Sequence, residues 1–189
     1  MHIRKAAPDD AGVISDLLLL AMEEIVSAFI GEKSNKKARL FLKSLISKKA
    51  NQYSYENCWV AENADGPIAA AIVYEGARLK ELRDPVIREI KKRFNNDFFY
   101  EDETQAGEFY IDSIGVNPTQ QGKGVGSNML RFLIGEYVEK RKQTLGLLVD
   151  ENNPNAKRLY LQLGFVPVGR KTLAGKKMEH LQRSPAMLS

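Results

Sequence analysis

The stretch DSIGVNPTQQGKGVGSNML, residues 112–130, decides how the rest of the chain can be organised. Its pattern predicts a strand that runs into a glycine-rich turn and then directly into an amphipathic helix. Glycines at positions 122, 124 and 126 let an anionic ligand approach the backbone N–H groups without meeting Cβ atoms. Because the first turn of a helix has unpaired N–H donors and a partial positive charge, this turn favours a phosphate or pyrophosphate.

Two common nucleotide-binding signatures do not fit this turn. A P-loop requires Ser or Thr after its Gly-Lys pair and a glycine five residues before the Lys, whereas Lys123 is followed by glycine and position 118 is proline. A Rossmann fingerprint that starts at Gly122 requires an acidic ribose partner about 20 residues later. Glu139 and Asp150 lie on either side of that point, so neither occupies the expected position. Neither class of site is therefore predicted.

The segment QGKGVG, residues 121–126, resembles the Gln/Arg-x-x-Gly-x-Gly/Ala signature of the GNAT superfamily of acyl-CoA-dependent N-acetyltransferases. A second segment, NPNAKRLYLQLGF at residues 153–165, resembles the other main motif of that family, which surrounds a helix beside the cofactor. The apolar positions i, i+3, i+4 and i+7 of this predicted helix share one face, namely Ala156, Leu159, Tyr160 and Leu163. The two motifs occur in the expected order, and the resemblance covers nearly the whole chain.

Length and composition fit one ordinary globular domain of 189 residues, with 43% hydrophobic and 28% charged residues. No apolar run approaches the roughly 20 residues of a membrane helix, and the first residues lack the order of a secretory signal. We therefore expect a cytoplasmic protein with no membrane partner. The formal charge of +4 suits a polyanionic cofactor, and because basic residues are dispersed without a recognisable motif, no nucleic-acid partner is expected.

Metal and disulfide chemistry are not indicated by the cysteine and histidine positions. The lone Cys58 cannot form an intrachain disulfide, and its place beside Trp59 suggests a small buried side chain. His2 and His180 lie near opposite ends of the chain and are not spaced for metal binding. No metal cofactor is expected.

Strand and helix patterns alternate along residues 1–189 and predict a single α/β (α+β) domain with one mixed central sheet flanked by helices on both faces. Strands are predicted near residues 2–6, 58–62, 68–74, 108–116, 144–149, 165–169 and 177–181. A helix that Ser34 caps should turn inward Leu40, Phe41, Leu45 and Ile46.

Residues 77–106 have no counterpart in a minimal member of the resembled family, so we predict that they form an insertion. It contains a charged helix at residues 79–94 and the acidic run EDE at residues 101–103. Two interpretations stay open: a lid over the acceptor site or a surface excursion.

The resemblance implies a GNAT fold in which the central strands ending at Val116 and near Val149 splay apart and admit the pantetheine arm of acetyl-CoA. Backbone groups of Ile114 and Val116 would pair with that arm, and the N–H groups of residues 121–127 would hold the pyrophosphate. The cofactor-binding residues implied in this way are Ile114, Gly115, Val116, Gln121, Gly122, Lys123, Gly124, Val125, Gly126, Ser127, Asn153 and Tyr160.

Acetyl transfer to an amine requires a neutral amine and a proton for the departing thiolate. A lysine-like amine is neutral in only about one molecule in two thousand at pH 7, so a base is needed. Tyr160 matches the family's general-acid tyrosine, although a packing role for its ring stays open. Glu108 and Asp112 have the same strand parity and could both face the acceptor cleft as the base, and Glu151 is a further candidate.

The leading hypothesis is an acetyltransferase that uses acetyl-CoA and acts on a primary amine of a small molecule, peptide or protein, as a monomer or homodimer. The alternative is a non-catalytic acyl-CoA sensor of the same fold. The resemblance also implies that the first two helices and their connecting loop border the acceptor pocket, which would place Phe29, Ile30 and Glu32 near the substrate. Relatives that modify protein N-termini carry a Glu where this chain has Leu148, so that subclass is not favoured.

Overall fold

The computed structural model describes residues 1–98 and 101–186, so residues 99–100 of the predicted insertion lie outside it. Its strands are β1 His2–Lys5, β2 Cys58–Asn63, β3 Gly66–Glu75, β4 Phe109–Val116, β5 Leu145–Asp150, β6 Val166–Leu173 and β7 Lys176–Arg183. Within the described residues they form one seven-stranded sheet in the order β1-β2-β3-β4-β5-β7-β6. The β4–β5 pair is parallel and the other five pairs are antiparallel, which confirms the predicted mixed sheet.

Five α-helices connect these strands in the described part of the chain: α1 Ala11–Ile30, α2 Asn35–Ile46, α3 Leu79–Phe94, α4 Val125–Leu133 and α5 Pro154–Gln162. The hydroxyl oxygen of Ser34 accepts a hydrogen bond from the Lys37 N–H at 3.4 Å and caps α2 as predicted. A π-helical segment, Ile134–Lys140, extends α4. Every described helix is too short or too polar to cross a membrane.

Two predictions about individual elements were wrong. Leu40 of α2 is 52% exposed rather than inward, because the buried stripe follows positions 38, 41, 42 and 45 and position 40 lies off it. The last hairpin is longer than predicted, since β6 and β7 meet at the two-residue turn Ala174-Gly175, whose φ angles are 49° and 76°. β6 is an exposed edge strand, so its side chains lack the apolar alternation that would have marked its full length.

The sheet separates two apolar cores. One core, here called the α1-face core, lies between the sheet and helices α1, α2 and α3, and the α4-face core lies between the sheet and α4. Successive residues of β3 alternate between them: Ala70, Ile72 and Tyr74 belong to the α1-face core, whereas Ala71 and Val73 belong to the α4-face core. Because both faces of β3 are buried, its sequence is a nearly continuous apolar run.

The central strands part at a bulge in β4. Ile72 of β3 lies opposite Ser113, and the next residue of β3 lies opposite Ile111, so Asp112 is the extra residue. β4 and β5 pair only through residues 109–111 and 145–147. Beyond Ile111 the two strands diverge and leave a gap, which confirms the predicted splay.

Backbone groups of β4 beyond the bulge are available to this gap. The Asn117 N–H donates to the Ile68 carbonyl oxygen at 2.9 Å, and Gly115 lies opposite Ala70 in the same register. In an antiparallel ladder, residues that bond to the neighbouring strand alternate with residues whose N–H and C=O groups point the other way. The N–H and C=O groups of Ile114 and Val116 therefore point toward the gap.

Helix α1 rests directly on the backbone of Gly115. A Cβ atom added at this position would overlap the carbonyl group of Leu17, which belongs to the helix backbone. Glycine is therefore required here by close approach. This contact holds α1 at Leu17 against the divergent part of β4.

We expect Gly115→Ala to lower the free energy of unfolding by about 1–3 kcal/mol, because the added methyl group overlaps main-chain atoms and forces α1 to shift. Urea denaturation measures the change. Gly126→Ala is the matched control, since its added Cβ would lie 3.7 Å from Val116 Cγ2, which is ordinary van der Waals contact. Equal stabilities of the two variants would contradict the proposed contact between α1 and Gly115.

Candidate functional site

The glycine-rich turn ends at the N-terminus of α4, as the sequence predicted. Gly122 and Gly124 have φ angles of 73° and 79°, which place both in the left-handed region that favours glycine. The first helical hydrogen bond runs from the Asn128 N–H to the Gly124 carbonyl oxygen at 2.9 Å. The N–H groups of Val125, Gly126 and Ser127 precede that bond, so the helix itself gives them no acceptor.

The polar side chains predicted at the cofactor site occupy different positions around this turn. The Gln121 side-chain amide donates to the Val116 carbonyl oxygen at 3.2 Å and thereby ties the turn to the end of β4. Lys123 is exposed. Asn153 caps α5, and its side-chain oxygen accepts from the Ala156 N–H at 3.1 Å. Cofactor binding by these residues stays a prediction.

Tyr160 lies on α5 and packs, half-buried, against the α4-face core, with its ring centroid 6.1 Å from that of Phe165. Ile114 and Val116 pack against the same core, so all three lie on the α4 side of the sheet. Burial raises the pKa of Tyr160 above its ordinary value, which keeps its hydroxyl protonated at neutral pH. No hydrogen bond to this hydroxyl is found among the described residues, so both predicted roles, acid and packing group, stay open.

A cavity of about 650 Å³ lies on the opposite, α1 side of the sheet. Its walls come from the C-terminal half of α1, the β4 bulge and the turn between β6 and β7. Leu20, Ile25 and Met178 contribute apolar surface. Since Asp112 and Ser113 also line it, the cavity lies where β4 begins to diverge from β5.

The predicted acceptor contacts in the first helices do not line this cavity. Phe29 and Ile30 are buried in the α1-face core, at 0% and 5% exposure. Glu32 lies on the surface and pairs with Lys37 at 2.5 Å. The α1 residues that line the cavity lie mostly one to two turns before Phe29. α1 continues as one helix to Ile30, so its last residues are helical and not part of a loop beside the cavity.

The charged side chains of the cavity wall are mainly acidic. Lys176 is the cation among the described wall residues, and its Nζ pairs with Glu24 Oε2 at 2.5 Å. Four carboxylates line the same space: Glu23, Glu24, Glu103 and Asp112. The cavity is therefore suited to a positively charged ligand.

Glu103 and Asp112 converge on the same two donors. The Gln52 side-chain amide lies 2.8 Å from Glu103 Oε1 and 2.8 Å from Asp112 Oδ2. The Tyr74 hydroxyl oxygen lies 2.8 Å and 2.9 Å from these two carboxylate oxygens. Two carboxylates from separate segments thus meet at the cavity wall.

Burial weakens the acidity of both carboxylates, and the charge of Asp112 adds to the effect on Glu103. Burial, followed by the charge of Asp112, raises the pKa of Glu103 to about 7 against the opposing effect of Arg83. Burial also raises the pKa of Asp112, although hydrogen bonds from Gln52 and Tyr74 oppose the change. Burial and the two carboxylate charges raise the pKa of Tyr74, so its hydroxyl stays protonated.

The acidic run of the predicted insertion divides into an exposed part and a buried part. Glu101 and Asp102 are exposed, whereas the Glu103 side chain is 3% exposed. Arg83 of α3 forms ion pairs with Glu103 and, at 2.7 Å, with Asp102. The insertion therefore contributes Glu103 to the cavity wall, whereas Glu101 and Asp102 stay on the surface.

Glu108 does not face the cavity, contrary to the prediction for the base. It lies on the α1 side of the sheet like Asp112, but its side chain is fully buried. Its carboxylate accepts hydrogen bonds from the side chains of His180 at 2.8 Å, Gln182 at 2.7 Å and Thr104 at 2.6 Å. The physical reason is that Glu108 immediately precedes the stretch in which β4 pairs with β5, and β5 in turn with β7, whereas Asp112 lies where β4 and β5 part.

The hydrogen bonds around Glu108 also determine its charge state. Burial disfavours ionisation, but the donors from His180, Thr104 and Gln182 outweigh it and lower the pKa of Glu108. A carboxylate of low pKa is a poor proton acceptor. The third candidate base, Glu151, lies in a separate depression beside Arg170, at 3.4 Å, and not in the cavity.

Comparison with known proteins gives one family. A model described as the Acetyltransferase (GNAT) family matches residues 22–165. The spermine/spermidine N(1)-acetyltransferase of Bacillus subtilis (strain 168) is 34% identical over 80 residues, which are 42% of this chain and 53% of that protein. The match thus spans about half the length of this curated relative.

Two solved structures cover almost the whole chain. One, described as an acetyltransferase, has a TM-score of 0.81 and 30% sequence identity, and the superposition covers 97% of this chain and 99% of that one. An N-acetyltransferase from Staphylococcus aureus Mu50 also has a TM-score of 0.81, with 20% identity and coverage of 97% and 100%. The second structure, at 20% identity, supports the fold and nothing further.

Proposed function

The chain belongs to the acetyltransferase (GNAT) family, and we propose that it transfers the acetyl group of acetyl-CoA to a small polycationic amine. The observation that carries this acceptor class is the group of four carboxylates around the 650 Å³ cavity beside the gap between β4 and β5. A cavity of this size suits a small molecule. The curated relative from Bacillus subtilis is named for spermine and spermidine, which are polycationic amines, and this supports the proposal.

The residues on the α4 side of the gap fit acetyl-CoA. The gap leaves the backbone groups of Ile114 and the N–H group of Val116 free to pair with amides, and the start of α4 offers N–H donors to a pyrophosphate. Cβ atoms added at Gly122 and Gly124 would meet nothing within 4 Å, so the space beside this turn is open. Bound acetyl-CoA would supply the thioester whose carbonyl carbon the amine attacks.

The sheet then separates the two halves of the reaction. The acceptor reaches the gap from the α1 side, where carboxylates attract its ammonium groups and Asp112 lies at the β4 bulge. Tyr160 lies on the α4 side, where its protonated hydroxyl can donate to the departing thiolate. Acid and base therefore act from opposite faces of the sheet.

The acceptor class is tested with a panel of amines and a thiol-release assay with acetyl-CoA. A linear triamine should give a kcat/KM at least about tenfold above that of a monoamine of equal length, because additional ammonium groups meet additional carboxylates. Added salt should reduce this preference, since the attraction is electrostatic. Equal, salt-independent kcat/KM values would contradict a polycationic acceptor, and acetyl-CoA binding without any turnover would favour the acyl-CoA sensor.

Tyr160→Phe tests the acid. The substitution keeps the ring and removes the proton donor, so kcat should fall by about 10²–10⁴-fold while the acetyl-CoA Kd and the Tm stay nearly constant. Tyr55→Phe is the matched control, because Tyr55 packs against the α1-face core away from the cavity and should keep wild-type kcat. A Tyr160→Phe enzyme that retains more than about a third of kcat, where chemistry limits turnover, would exclude the acid role.

A further inference from the structure

Glu103 and Asp112 are two carboxylates that share the same hydrogen-bond donors, and placing two like charges together does not stabilise the fold. These carboxylates share the Gln52 amide and the Tyr74 hydroxyl within 2.9 Å, and Glu103 is buried whereas Asp112 is partly buried. Two like charges that share the same two donors destabilise the doubly ionised state, so such a pair holds one proton more readily than either carboxylate alone. The pair lines the cavity that the acceptor would enter.

We propose that Glu103 and Asp112 act as one proton-accepting pair that deprotonates the acceptor ammonium before it attacks the thioester. This inference rests on the proposed function and deepens it, because it assigns a base that includes a residue of the 77–106 insertion. Arg83, whose side chain is 8% exposed, holds the Glu103 carboxylate at the cavity wall through their ion pair.

The protons and bonds balance with the groups present. The doubly ionised pair takes one proton from the ammonium and passes it to solvent, which leaves a neutral amine. The amine nitrogen bonds to the carbonyl carbon as the carbon–sulfur bond breaks, and the nitrogen loses a second proton when the amide forms. That second proton balances the one that Tyr160 gives to the sulfur. The products are the N-acetylated amine and the free thiol.

A pair is better matched to this task than a single exposed carboxylate. An ordinary Asp, with a pKa of about 3.9, has an affinity for protons about 10^6.5-fold below that of an amine with a pKa of about 10.4. Because burial and Asp112 raise the pKa of Glu103 to about 7, the deficit falls to about 10^3.4-fold. Proton transfer to the pair is therefore about a thousandfold more favourable.

Other groups around the pair set its affinity for the proton. Arg83 opposes protonation of Glu103, although it divides its charge with Asp102. The remaining titratable or charged side chains that face the pair or its cavity come from several elements: Tyr74 of β3, Tyr110 of β4, Cys58 of β2, Glu23 and Glu24 of α1, Tyr53, and Lys176. Replacing one carboxylate of the pair by an amide removes the negative charge that acts on the other carboxylate and leaves these surrounding groups in place.

The test compares the pH dependence of kcat/KM for the triamine in the wild type, Glu103→Gln and Asp112→Asn. Activity of the wild type should rise with pH through about 7, because the pair must be ionised to accept a proton. Each variant should lose about 10–100-fold in kcat/KM at pH 8, and its acidic limb should move down by about one pH unit or more, since the remaining carboxylate no longer meets a like charge.

Glu23→Gln is the matched control, because it removes a cavity carboxylate outside the pair. It should raise KM for the triamine and leave the acidic limb in place. Melting temperatures should show that all three variants fold, since each amide keeps the shape of the side chain it replaces.

An acceptor of lower amine pKa provides a second test. A fluorinated triamine whose terminal amine has a pKa near 7 is already half neutral at that pH and needs little help from a base. The losses in Glu103→Gln and Asp112→Asn should then shrink to less than about threefold. Suppose that the wild type acetylates the triamine but the acidic limbs of the variants do not move, or that the losses are equal with both acceptors. Either result would overturn the role of the pair as the base and would leave the proposed function standing. A wild type that acetylates no amine would overturn the proposed function itself.

Discussion

The end of hydrogen bonding between β4 and β5 is the constraint on which the rest of the structure depends. Pairing stops at Ile111 because the bulge at Asp112 bends β4 away from its parallel neighbour. One irregular residue thereby opens a gap in the sheet, leaves the backbone of Ile114 and Val116 without partners from β5, and turns a carboxylate toward α1. Ligand access from both faces, which the proposed reaction requires, follows from this single interruption.

Helix packing keeps the gap from closing into an ordinary sheet. α1 rests on Gly115 by main-chain contact, so its C-terminal half roofs the cavity on one side. On the other side, two left-handed glycines form the turn between the end of β4 and the N-terminus of α4. The two proposed ligand sites also differ in charge, since carboxylates line the cavity whereas the start of α4 carries the partial positive charge of a helix N-terminus.

The sequence predicted the elements whose signals are local. The bounds of α3 agree with the predicted charged helix, and Asn153 begins α5 as the second motif indicated. The bulge left no local signal, so strand parity placed Glu108 and Asp112 together although only Asp112 reaches the cavity. The burial of Glu103 could not be predicted from its acidic run either, because it depends on Arg83 of α3 and on Gln52, which lie far away in the chain.

Amide hydrogen exchange of β4 with and without acetyl-CoA tests most directly whether the gap is the cofactor site. The N–H groups of Ile114 and Val116 should exchange readily in the free protein and slow markedly when acetyl-CoA saturates it. Gly115 and Asn117, whose register places their N–H groups toward β3, should slow only as far as ligand binding stabilises the whole fold. Saturated binding that leaves exchange at Ile114 and Val116 unchanged would contradict the account.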